Sequence, residues 1–145
     1  MYKLTSPKEI SAYVIAHLIS YVYAFTLSQT VVHFVIYNNL NPYSLFIPSI
    51  ILIIVIMFVF FALRNTMENT GRPQTKEIIA YLASAAIGFA WSAMVTPRLY
   101  DRNTPAIIPW TAGFVQMLVV MLIFFFIRRM MIPTWRTSAV NGPFG

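Results

Sequence analysis

From Tyr43 to Leu63 the chain carries no charged side chain, and beyond Pro48 it is almost unbroken Ile, Leu, Val, Phe and Met. Coiled as a helix rising 1.5 Å per residue, this run is about 30 Å long, which matches the hydrocarbon thickness of a bilayer. In lipid no water can satisfy exposed peptide groups, so an isolated run of this kind crosses only as a helix. Three further stretches have comparable length and character, and 59% of the residues are hydrophobic against 10% charged, too few polar groups for a water-facing surface. The expected fold is an all-α integral membrane protein: a bundle of four transmembrane helices in two hairpins. Residues 1–145 would form a single transmembrane domain with helices at about 9–37, 43–63, 76–95 and 106–128 and an interfacial or extended tail at 129–145.

The segments between these runs support that division. Ser6-Pro7-Lys8-Glu9 has the order of a capping box, with Ser6 as N-cap, Pro7 in the first helical position and Glu9 three residues after the cap. Asn38 to Pro42 is a short polar turn that makes helices 1 and 2 antiparallel neighbours. Arg64 to Thr75 is polar and broken by Gly71 and Pro73, and Thr96 to Pro105 is a second compact loop. The apolar run after Lys3 and Lys8 is too long for a signal-peptide core, so it is read as a retained helix. Sequence comparison of the two hairpins predicts no internal repeat.

Basic residues set the expected orientation. Lys3, Lys8, Arg64, Arg72, Lys76, Arg128, Arg129 and Arg136 fall on one side of the four runs and only Arg98 and Arg102 on the other. This bias places both termini, and the loop between helices 2 and 3, on the cytoplasmic or equivalent side. The net charge of +6 is thereby explained as topological anchoring, and nucleic acid is not expected as a partner. The chain has no cysteine, which excludes disulfides, thiolate metal sites and thiol redox chemistry within it.

Helix 3 shows the clearest packing signal. Ala80, Ser84, Gly88 and Ser92 recur at every fourth position, and in lipid such small side chains let two backbones approach closely. Gln116, an amide deep in helix 4, is expected to make an interhelical hydrogen bond. Whether this face grips helix 1, helix 4 or another protein does not follow from the spacing.

Function is less constrained. Glu9, Glu68, Glu77 and Asp101 all fall at expected helix ends or in loops, and no basic residue lies inside an expected span, so an ion-coupled pump is not expected. His17 and His33 are the titratable exceptions. Their sixteen-residue separation puts them about 24 Å apart along a helix and about 160° apart around it, so they cannot share one ion. Each could give one ligand to a haem or copper centre completed by a partner subunit, the weak cofactor-binding candidates here; lipid and quinone are the other cofactor classes considered. Helix 1 also carries polar residues on two faces, Ser20, Tyr21 and Ser28 with His17 and Tyr23, Thr26 and Thr30 with His33. Arg98, Asp101 and Arg102 form the far-side charged group, a candidate contact for a partner's loop. No nucleotide loop, metalloprotease motif or hydrolase elbow occurs. The expected function is a non-catalytic or accessory subunit of a multi-subunit integral membrane complex, such as a respiratory or other membrane oxidoreductase, with other membrane subunits and the lipid bilayer as partners. The alternative is a small four-helix carrier, channel or ligand-binding protein working as a homo-oligomer.

Overall fold

The computed structural model describes residues 6–19, 21–22, 38–39, 41, 46–99, 105 and 107–132. Among the described residues the protein is all-helical, with four helices and no strand. We label them α1 (residues 7–19 and 21–22), α2 (Phe46–Glu68), α3 (Thr75–Leu99) and α4 (Ile107–Met131). Two of them, α2 over Ile47–Glu68 and α4 over Trp110–Met131, are long and apolar enough to cross a membrane. Contacts divide the chain into two compact units, one over Lys8–Arg72 holding α1 from Lys8 and α2, the other of Met1–Pro7 with Pro73–Gly145 holding α3 and α4. Each unit is a helical hairpin.

The helices run past the expected stops. Arg64 and Arg128, read from the sequence as charges that end helices 2 and 4, lie inside α2 and α4, which continue to Glu68 and Met131. The expectation that helices 2 and 4 end at these charges is therefore corrected. The reason is local: each guanidinium is buried against an acidic partner and aromatic rings, so the helix need not stop for the charge to reach water. α3 likewise reaches Leu99 instead of ending at Val95, carrying Pro97 in its last turn although proline cannot donate the bond to the carbonyl four residues earlier.

The end of α2 has a defined cap. Asn69 takes a left-handed φ of 55° and its N–H bonds the Asn65 carbonyl at 2.8 Å. Gly71 is also left-handed, at φ 74°, a conformation glycine adopts without a Cβ penalty, and its N–H donates to the Asn65 side-chain oxygen at 2.7 Å. In the first turn of α3, Glu77 Oε2 accepts the Gln74 N–H at 3.0 Å, as in the second half of a capping box.

Candidate functional site

The most chemically distinctive arrangement is a pair of buried charge clusters, one at the end of each hairpin. In the first, Glu9 in the opening turn of α1 meets Arg64 near the end of α2, with Arg64 Nη1 donating to Glu9 Oε1 at 3.3 Å. Both side chains are 1% exposed. The guanidinium carbon lies 4.9 Å from the Phe61 ring centroid and 6.0 Å from that of Phe60, within cation–π range. Phe60 in turn meets Tyr13, one helical turn after Glu9, edge to face at 5.2 Å. Spacing explains the cluster: Glu9 and Tyr13 are four apart on α1, and Phe60 and Arg64 four apart on α2, so each pair stacks on one helix face.

The second hairpin repeats this arrangement with its own residues. Arg128 Nη1 lies 3.5 Å from Glu77 Oε1, with side-chain exposures of 2% and 3%. Arg128 sits over Phe124 and Phe125 at 5.3 and 5.0 Å, and Phe124 meets Tyr81 edge to face at 5.7 Å. Glu77 serves two ends at once, because its other oxygen caps α3 through Gln74. Desolvating two ions costs several kcal/mol each, so such pairs close a hairpin only when geometry and extra partners offset the loss. Here the aromatic faces and the cap provide them.

At Gly88 the small-residue row of α3 meets α4 of the same hairpin. Ala80 and Ser84 are fully buried, Gly88 is buried and Ser92 half-buried. A Cβ at Gly88 would stand 2.6 Å from Val120 Cγ2, so the Val120 side chain packs directly on the Gly88 backbone. Gln116 Nε2 crosses the same interface and donates to the Gly88 carbonyl at 3.0 Å. Ser84 Oγ donates instead to the Tyr81 carbonyl of its own helix at 2.8 Å. Replacing Gln116 by Leu is expected to cost the hairpin about 0.6 to 2 kcal/mol, read as a shift in its detergent-unfolding midpoint.

Beside this contact α3 and α4 leave an open groove of about 600 Å³, whose walls include Gly88, Trp91, Thr111, Val115, Gln116 and Val120. Its lining is almost wholly apolar. The Thr111 hydroxyl donates to the Ile107 carbonyl at 2.7 Å, and Gln116 is turned to Gly88, so the polar side chains at the groove serve the helices themselves.

His17 is half-buried, and its Nδ1–H donates to the Tyr13 carbonyl at 2.8 Å. Its ring stacks on Tyr13 with centroids 3.8 Å apart and planes within 11°. Among the described residues no group of three or more Asp, Glu or His is placed to hold a metal ion. His17→Ala is expected to cost about 1 kcal/mol or less, leaving helical content by circular dichroism unchanged. His33, Asp101 and Arg102 lie outside the described residues; Arg98 falls in the last turn of α3, and its side chain lies outside them too. Sequence reasoning missed Glu9, Arg64, Glu77 and Arg128 because it treated helix-end charges as solvated anchors. The signal that was there is the four-residue spacing of acid to tyrosine and of phenylalanine to arginine. Comparison of the chain with protein-family models, with characterised proteins and with solved structures finds no match.

Proposed function

We propose that this protein is a multi-pass membrane protein of four crossings, with both termini on the cytoplasmic or equivalent side, acting as a non-catalytic structural subunit of a larger membrane assembly. The observation that carries this reading is the internal disposition of charge. Glu9, Arg64, Glu77 and Arg128 neutralise one another pairwise within their own hairpins, while large apolar side chains face outward, among them Ile51 and Phe58 on α2 and Leu122 and Phe126 on α4. Outward apolar faces suit lipid and neighbouring membrane helices, and buried neutral pairs suit a passive framework more than proton or substrate transfer. The eight-to-two bias of basic residues supports the orientation.

The groove between α3 and α4 favours a second reading, a ligand-binding protein that works as a homo-oligomer, because an apolar concavity of this size can hold a small hydrophobic molecule. Native mass spectrometry after gentle detergent extraction separates the two. A stoichiometric complex with different membrane subunits supports the structural reading; homo-oligomers alone overturn it. Topology is checked separately, since the chain has no cysteine of its own. Arg72→Cys is expected to react with a membrane-impermeant maleimide from the cytoplasmic side, and Asn103→Cys from the opposite side only. Labelling of both from one side would overturn four crossings.

A further inference from the structure

We infer that the chain is a tandem duplication of one self-closing helical hairpin, in which each copy carries its own acid–arginine–aromatic lock. Compared as wholes the two hairpins do not match; the two ion pairs show which residues to align. Aligning the locks sets Glu9 on Glu77 and Tyr13 on Tyr81, a constant offset of 68 residues, and Phe60 on Phe124 and Arg64 on Arg128, a constant offset of 64. At the first offset Lys8-Glu9-Ile10-Ser11-Ala12-Tyr13 matches Lys76-Glu77-Ile78-Ile79-Ala80-Tyr81 at five of six positions. At the second, Phe60-Phe61 and Arg64 match Phe124-Phe125 and Arg128, and Met57 matches Met121. The difference between the offsets shows that the two hairpins differ in length by four residues between the matched segments.

Burial follows the same register. Ala12 and Ala80 are both 0% exposed, Ala16 and Ser84 both 1%, Phe60 and Phe124 both 0%, and Met57 and Met121 are 6% and 8%. Independent invention of the same lock would explain the buried acid, tyrosine, phenylalanine and arginine. It would not explain Lys8 and Lys76, both exposed, nor Ile10 and Ile78, which take no part in either ion pair. Identity at positions the lock does not require is the mark of a copied segment. Where the copies differ, each has its own addition: His17 stands opposite Ala85, and Gly88 and Gln116 stand opposite Ser20 and Leu52. The lock is common property, whereas the stacked histidine belongs to the first hairpin and the glycine–glutamine contact to the second.

Segment exchange in the full-length chain tests this. Residues 8–17 are replaced by the sequence of residues 76–85, which changes Ser11→Ile, Val14→Leu, Ile15→Ala, Ala16→Ser and His17→Ala. A second variant carries the same inserted sequence displaced by one residue, moving the acid and tyrosine off the face that meets Arg64 and Phe60. The readout is monodisperse yield by fluorescence-detected size exclusion in mild detergent. The in-register exchange is expected to stay within twofold of the parent and the displaced one to fall at least tenfold. An in-register exchange that is lost as completely as the displaced one overturns the duplication, as does equal tolerance of both. In-hairpin charge reversal gives a second measure. Glu9→Arg and Arg64→Glu are each expected to lower the yield at least tenfold and together to recover at least half of it, and recovery by Glu9→Arg with Arg128→Glu instead would overturn a lock proper to each copy.

Discussion

Gly88→Leu is expected to separate α3 from α4, at a cost of about 3 kcal/mol or more, the upper end of overpacking penalties. The first added carbon would already stand 2.6 Å from Val120 Cγ2, closer than side chains approach. Val120 has little room to move away, because a β-branched residue in a helix holds one χ1 rotamer strongly. Forcing the helices apart would also stretch the Gln116 bond to the Gly88 carbonyl, now 3.0 Å, so two contributions fall together. Even Gly88→Ala should be destabilising, and Gly88→Ala with Val120→Ala should recover most of the loss by removing the methyl groups in the way. A reversible detergent-unfolding titration reads all three. Normal stability of Gly88→Leu would mean that this contact does not hold the hairpin.

The second large effect concerns the locks. Arg128→Ala leaves Glu77 buried with its main counter-charge removed, and breaking such a pair typically costs about 3 to 5 kcal/mol. Arg64→Ala should cost the first hairpin a similar amount through Glu9. Replacing both partners by neutral side chains of similar size, Glu77→Gln with Arg128→Met, should cost less than the sum of the single changes, because neither substitution then leaves an uncompensated ion. A double-mutant cycle on unfolding midpoints measures that coupling. Additive losses in the cycle would show that the aromatic packing, not the ion pair, closes the hairpin.

Several features were legible from residue order alone. The four helices among the described residues follow from apolar runs, and the break before α3 from Gly71 and Pro73. The packing face of α3 was legible from the recurrence of Ala80, Ser84 and Gly88, since a period of four reports which side of a helix is narrow. Its partner was not, because a narrow face fits any close neighbour; Val120 and Gln116 supply the answer. The helix ends were misplaced for a physical reason. A charge near the end of an apolar run looks the same in sequence whether it enters water or meets an opposite charge brought from a distant segment.

That distinction separates what the sequence determined from what the tertiary structure decided. Local order alone determined the helices among the described residues, the apolar runs and the bias of the basic residues, because these depend on neighbours within a few turns. Only the tertiary structure decided that Glu9 meets Arg64 and Glu77 meets Arg128, across 55 residues in the first case. Burying a charge depends on the partner that the fold brings to it, and that partner lies beyond the reach of any local pattern.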